Sequence, residues 1–224
     1  MNIPILEVRA GIEAENAARA EKVRAFLEEK GVFLINLMAS PGAGKTTLLC
    51  RLIDLLKADF SVGVMEADVD SDVDARTVAL HGAKAVQLHT GGMCHMDAKM
   101  TLEGLKAFGD GLPRLVFLEN VGNMVCPAEF DTGAQLKLML LSVPEGDDKP
   151  LKYPLMFQVS ELLGVTKCDT LPAFDFDFDR LKANLATINP SLPVFPISCK
   201  NGDGIEALAD ELRRRICSTI PKTC

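Results

Sequence analysis

The segment Ala39-Ser-Pro-Gly-Ala-Gly-Lys-Thr-Thr47 constrains the fold of this 224-residue chain more than any other. An apolar run, Val32–Met38, precedes it, and an apolar pattern of helical period, Lys45–Lys57, follows it. Strand, glycine-rich loop and helix in that order build a cradle for phosphate. Backbone N–H groups turn inward at the glycines, and the helix N-terminus adds its positive dipole end. Gly42 and Gly44 are the residues that permit the turn, with Pro41, Ala43 and Thr47 completing the loop. Lys45 is expected to reach the β- and γ-phosphates and the Thr46 hydroxyl to ligate Mg²⁺. One position departs from the usual pattern: Ala39 stands where a glycine is common. Alanine fits there if its φ is negative.

The rest of the chain alternates short apolar runs with helical patterns. Strands are predicted at Val32–Met38, Ser61–Glu66, Ala85–His89, Arg114–Glu119, Lys137–Val143, Gly164–Thr166 and Val194–Ile197. Helices are predicted over about 11–30, with Ala20, Val23 and Leu27 on one stripe, and at Lys45–Lys57, Val73–His81, Met96–Phe108, Phe178–Ile188 and Gly204–Cys217. Strands that are continuously apolar are buried on both faces. The expected fold is therefore α/β, a P-loop NTPase with a mostly parallel sheet flanked by helices. Ligands in such sheets gather at the carboxyl ends of the strands. Residues 1–31 read as a helical extension packed on the core, and 32–224 as the nucleotide-binding domain. Four connections, Glu66–Ala75, Thr90–His95, Glu119–Gly133 and Pro144–Tyr153, are long and polar, which marks them as functional candidates.

Charge and composition narrow the partners. A net charge of −7 argues against non-specific nucleic-acid binding and against a polybasic membrane surface. No apolar run approaches the ~20 residues that span a bilayer, and the first residues lack the charged-then-apolar order of a signal peptide. The expected location is cytoplasmic. Seven cysteines, an odd number spread over the chain, make a poor disulfide framework.

Two short motifs choose the base. Thr166-Lys167-Cys168-Asp169 follows an apolar strand, and its aspartate can accept from the N1–H and 2-amino donors of guanine. Adenine offers the opposite polarity and would leave that carboxylate unpaired. Ser198-Cys199-Lys200, after the strand Val194–Ile197, resembles a loop that backs the base. Each motif is weak alone; together and in order they favour GTP/GDP over adenine nucleotides.

Carboxylates for the cation lie at two strand ends. Glu66-Ala-Asp68 closes the second strand, where Asp68 is expected to hold Mg²⁺ directly or through water. Asp70 and Asp72 read as a solvated loop with Asp72 a helix N-cap, while Asp74 can position the attacking water. Glu119-Asn-Val-Gly122 ends another strand. Gly122 can sense the γ-phosphate through its N–H, and Glu119 is placed to contact the Mg²⁺ water shell.

A second constellation is softer. Gly91-Gly-Met-Cys94-His95-Met-Asp-Ala sets a thiol beside an imidazole, and Val125-Cys126-Pro127-Ala-Glu-Phe-Asp131 supplies another thiol beyond Gly122. Two thiolates and an imidazole suit Zn²⁺, Ni²⁺ or a copper ion, not Mg²⁺. A helix N-terminus near such a cysteine lowers its pKa and favours the thiolate. The bland alternatives are a buried structural Cys126 and a Cys94–His95 helix cap. Cys50 and Cys217 read as helix core, Cys168 and Cys199 as variable positions within nucleotide motifs, and Cys224 as a frayed end.

Taken together, Ser-Pro-Gly-Ala-Gly-Lys-Thr-Thr, Glu-Ala-Asp, Gly-Gly-Met-Cys-His-Met-Asp-Ala, Glu-Asn-Val-Gly-Asn-Met-Val-Cys-Pro-Ala-Glu-Phe-Asp and Glu-Gly-Asp-Asp-Lys-Pro-Leu-Lys-Tyr-Pro resemble the HypB family. The likeness runs from about Ile35 to the last helix. These are GTPase accessory proteins for nickel insertion into [NiFe]-hydrogenase, in the dimerising SIMIBI-type class that also holds the urease accessory protein UreG. The resemblance implies that Cys94, His95 and Cys126 form a nickel or zinc site at a homodimer interface, nucleotide- or metal-dependent. It also implies a HypA-like metallochaperone, a SlyD-like protein and the hydrogenase large-subunit precursor as partners. Two features of the family's metal storage are missing: no cysteine precedes Cys50, and the histidines are His81, His89 and His95 alone. The expected nickel site is therefore the one in the GTPase domain. A urease-type chaperone would place a histidine where Ala128 follows Cys126-Pro127, and a small-molecule kinase would not need Thr-Lys-x-Asp. Coupling is expected because GTP and Mg²⁺ would order the 68–74 and 122–131 loops, and Cys126 follows Gly122 by four residues.

Overall fold

The computed structural model describes residues 8–68 and 73–220. Seven parallel strands form one sheet: β1 (Phe33–Ala39), β2 (Val62–Asp68), β3 (Lys84–His89), β4 (Leu115–Glu119), β5 (Leu136–Ser142), β6 (Leu162–Thr166) and β7 (Val194–Pro196), in the order β3-β2-β4-β1-β5-β6-β7. Every predicted strand is present, with no end shifted by more than two residues. The reason lies in burial: β1, β4 and β6 are buried along their whole length. Such strands must be covered on both faces and so need crossover helices.

Helices α1 (Val8–Lys30), α2 (Lys45–Leu56), α3 (Val73–Leu80), α4 (Ala98–Ala107), α8 (Phe178–Ala186) and α9 (Ile205–Thr219) match the predicted set. Three short helices, α5 (Cys126–Glu129), α6 (Lys149–Lys152) and α7 (Pro154–Val159), were not predicted and fall within or just after the long polar connections. Their period cannot be read from four to six residues, but each carries a proline in its first turn, where the missing N–H costs nothing.

Helix α2 shows why the phosphate loop is rigid. Leu48, Leu49, Leu52, Ile53 and Leu56 are fully buried against β1, β4 and β5 and against α9. Each contributes about 1.5–3 kcal/mol by leaving water, so the helix N-terminus at Lys45 is anchored from behind. On the other face Ala20, Val23 and Leu27 of α1 pack with Leu34, Met65, Ala67, Leu105, Val116 and Leu118, and α1 lies along α4. No helix among the described residues is long and apolar enough to cross a membrane.

Candidate functional site

The phosphate loop leaves the carboxyl end of β1, the strand between β4 and β5. Gly42 and Gly44 both have positive φ, 74° and 94°, and Gly44 is the N-cap of α2. Ala39 is the last residue of β1, opposite Leu140, and is not among the positive-φ residues. A strand end needs no left-handed backbone, so alanine is accommodated. Behind the loop Ser40 Oγ donates to Glu145 Oε1, while Glu145 Oε2 accepts from the backbone and side chain of Ser142. Glu145 is the first residue of the Glu-Gly-Asp-Asp-Lys-Pro stretch, and its part in bracing the loop is not deducible from spacing.

The base-side motifs converge on that loop. Thr166 Oγ1 donates to Ala43 O at 2.6 Å and Lys167 Nζ to Gly42 O at 2.7 Å. Lys167 is the one non-glycine among the described residues with positive φ, 59°, a strained setting fixed by those contacts. Ser198 Oγ donates to Asp169 Oδ1 at 2.9 Å, and Asn201 N donates to Ser198 Oγ. Ala43, Gly44, Thr47, Lys167, Asp169, Cys199 and Lys200 line a cavity of about 190 Å³. All the residues assigned to base recognition from the sequence therefore border one space or brace it.

On the other side of the loop, Pro41, Lys45, Glu66, Asp74, Glu119, Asn120 and Gly122 line a second cavity of about 200 Å³. Gly122 lies so close that a Cβ on it would stand 3.0 Å from Pro41 Cα. Thr46 Oγ1 donates to Glu119 Oε1 at 2.9 Å. Glu66 and Glu119 are register partners on β2 and β4, and with Asp74 their carboxylates lie within 4.8 Å of one another. Burial and the neighbouring Glu119 push Glu66 up to about 10, and burial likewise raises Glu119. Glu66 Oε2 and Glu119 Oε2 are buried without a hydrogen-bond partner. Two such oxygens beside a threonine hydroxyl fit a hard cation, which takes oxygen ligands.

The carboxylate cluster differs from the sequence expectation at its second-strand ligand. Glu66 joins Glu119 in the cluster, although Asp68 was the expected second-strand ligand. The Asp68 side chain, with Asp70 and Asp72, lies outside the described residues. The overlooked signal was a carboxylate inside an otherwise apolar strand. Asp74, the expected water-positioning residue, sits in the first turn of α3 beside the two glutamates, where it can also hold a cation.

The soft ligands also meet. Cys94, His95 and Cys126 offer ligand atoms within 4.8 Å of one another. Cys94 Sγ lies 3.0 Å from Cys126 Sγ and 3.9 Å from His95 Nδ1. Both thiols are free, and a disulfide would hold them at ~2.05 Å. One ion with bonds of about 2.0–2.3 Å to nitrogen and sulfur can span the group. His95 stacks on Phe130, ring centroids 3.9 Å apart, and burial holds its pKa below the ordinary value, which keeps a ring nitrogen free as a ligand. The thiol expectation needs correcting. It is Cys126 that begins a helix, and its contact with Cys94 together with burial raises its pKa rather than lowering it. The short α5 cannot outweigh a second thiol at 3.0 Å. A metal cation would reverse that balance.

Of the remaining cysteines, Cys50 is buried in α2 and Cys168 and Cys199 lie in the loops after β6 and β7, as read, while Cys224 lies outside the described residues. Cys217 packs against the core but is disulfide-bonded, which corrects its reading as plain helix core.

Residues 33–196 match the family described as CobW/HypB/UreG, nucleotide-binding domain. The hydrogenase maturation factor HypB of Rhizobium leguminosarum bv. viciae is 42% identical over 203 residues, covering 91% of this chain and 68% of that protein. The crystal structure of HypB from Helicobacter pylori in complex with nickel superposes with a TM-score of 0.87 at 33% identity, covering 92% of this chain and 97% of that one. That of the hydrogenase maturation factor HypB from Archaeoglobus fulgidus gives 0.84 at 37% identity, covering 91% and 99%. On these matches, which take in the phosphate loop and most of the chain, the chain belongs to the HypB hydrogenase maturation factors of the CobW/HypB/UreG family.

Proposed function

We propose that this protein hydrolyses GTP and uses the cycle to bind nickel and release it to the [NiFe]-hydrogenase large-subunit precursor. The observation that carries the reading is that one connection serves both sites. It begins at Glu119 beside the phosphate loop and carries Cys126 to within 3.0 Å of Cys94. Nickel is the cargo at Cys94, His95 and Cys126; zinc fits the same donors.

Lys45 supplies positive charge to the β- and γ-phosphates, and Gly122 is placed to donate its N–H to the γ-phosphate. Asp169 reads guanine, with Ser198 holding one of its oxygens and leaving the other for the base. Thr46, Glu66, Asp74 and Glu119 would hold Mg²⁺, Asp68 being a further candidate; when bound, it neutralises charge on the phosphate oxygens. Asp74 is also the candidate for orienting the attacking water.

The two sites are tied by Asn120, whose Oδ1 accepts from Met96 N, next to His95. Any nucleotide-driven movement of the Glu119–Gly122 backbone is therefore transmitted to both metal loops. By linkage, metal changes nucleotide affinity by the same factor.

The surface supports the reading of a homodimer. Met93 and Val125, 43% and 47% exposed, flank Cys94 and Cys126. Apolar side chains beside an exposed, three-donor site suit a second copy that buries them and completes the coordination. HypA-like and SlyD-like proteins are the expected exchange partners, in the cytoplasm. The 1–31 segment is an extension of the 32–224 GTPase domain.

GTP turnover and oligomeric state, each measured with and without nickel and zinc, test this reading. Turnover that Lys45→Ala abolishes, with a metal- or nucleotide-dependent dimer, is the expected result. Turnover surviving in Lys45→Ala, or a monomer under every condition, contradicts it.

A further inference from the structure

Helix α1 buries a stripe at residues 16, 20, 23 and 27, and three of the four are the apolar Ala20, Val23 and Leu27. The fourth is Asn16, 7% exposed. A buried amide on an apolar stripe is costly unless both its donor and its acceptor are used. Here both are, and each reaches a different metal loop. Asn16 Oδ1 accepts from Ala98 N at 3.0 Å, three residues after His95. Asn16 Nδ2 donates to Asp131 O at 2.9 Å, five residues after Cys126 and next to Phe130, which stacks on His95.

The surrounding contacts keep the loops against α1. Arg24 Nη1 donates to Asp131 Oδ2 at 2.9 Å, and Asp131 Oδ1 accepts from Gly133 N at 2.9 Å. Gly133, with φ +78°, lies so close to the helix that a Cβ on it would stand 2.5 Å from Val23 Cβ. Both ligand-bearing connections are thus pinned at their far ends to one helix, and one side chain sets the distance between the pins.

We propose that Asn16 is a positioning residue for the metal site, fixing through its two hydrogen bonds the separation of the Cys94–His95 loop from the Cys126 loop. This rests on the reading of Cys94, His95 and Cys126 as the nickel site. Asparagine is the side chain that offers one acceptor and one donor at this length. Aspartate keeps the acceptor for Ala98 N and turns a second acceptor toward the Asp131 carbonyl. Leucine loses both bonds. Groups that orient metal ligands typically alter affinity by about 10–100-fold when removed.

The test is nickel titration of the full chain, following affinity and the thiolate-to-nickel charge-transfer band, with affinity for a GTP analogue measured in parallel without metal. Asn16→Leu and Asn16→Asp are each expected to weaken nickel by about ten-fold and to shift the band, with nucleotide affinity unchanged. A merely structural asparagine would lower thermal stability and leave the nickel affinity and spectrum of the folded protein as in the parent. That result overturns the proposal. Should Asn16→Leu not fold, Arg24→Gln, which frees the Asp131 carboxylate without opening the core, is expected to weaken nickel in the same direction. Parent-like binding by both Asn16→Asp and Arg24→Gln again overturns it. Cys126→Ser separates the positioning role of Asn16 from the metal site itself. If Cys126→Ser binds nickel as the parent does, the metal-site reading itself fails. If it loses nickel while the Asn16 and Arg24 variants do not, only the positioning role fails.

Discussion

Asn120 Oδ1 accepts the backbone N–H of Met96 at 3.1 Å, so the residue following Glu119 holds the residue following His95. The same oxygen accepts from Val121 N, and Asn120 Nδ2 donates to Asn36 Oδ1 on β1. Asn120 is 1% exposed, and the three bonds use its amide in a setting where an unpaired polar atom would be expensive. This side chain is a buried connection between the nucleotide side of the molecule and the Cys94–His95 loop.

Asn120→Ala removes that connection without touching a metal or phosphate donor. The expected outcome is a nickel affinity that no longer depends on nucleotide: a ratio between GDP and GTP-analogue states that falls from about ten-fold to below about two-fold, within the 5–150-fold range of ordinary couplings. Isothermal titration in the two nucleotide states reads it directly.

Asp169→Ala removes the guanine acceptor. Hydrogen bonds to a charged group contribute about 1.5–3 kcal/mol, so GTP-analogue affinity should fall by roughly 10–100-fold while the weak affinity for an ATP analogue stays within about two-fold. Competition with a fluorescent guanine nucleotide distinguishes this from a general loss of folding, which would weaken both.

Glu66 gives a pH dependence whose sign is fixed. Its pKa rises from about 4.5 in the unfolded chain to about 10 in the metal-free fold, so the native state binds the extra proton between those values. Metal-free stability from this group is full below about 4.5 and is lost progressively as pH rises toward 10. Lowering the pH from 8 to 6 should therefore raise the melting temperature relative to Glu66→Gln, which cannot ionise. Binding of Mg²⁺ with nucleotide should release a proton at pH 7, seen as a buffer-dependent heat that Glu66→Gln diminishes.

Much of this molecule is legible from the order of residue types. Leu34, Ile35 and Leu37 in one run, or Val116 to Leu118 in another, specify buried parallel strands because both faces are apolar. Gly42, Gly44 and Lys45 specify the phosphate loop because spacing alone determines it. Cys94, His95 and Cys126 are recognisable as soft-ligand candidates by donor chemistry, and the fold brings them together although 32 positions separate the two thiols in sequence. The residues that escaped notice owe their roles to register and packing. Glu66 matters because β2 and β4 pair it with Glu119. Glu145 matters because its 3₁₀ turn brings it back beneath Ser40. Asn16 and Asn120 are ordinary polar letters until the fold sets a backbone N–H from the Cys94–His95 loop against each one.

The central claim is that nucleotide state sets metal affinity. Nickel titration of the parent protein loaded with GDP and with a non-hydrolysable GTP analogue tests it most directly. Dissociation constants that differ by about ten-fold are expected, with the reciprocal shift in nucleotide affinity when nickel is added. Identical nickel affinities in the two states would contradict it.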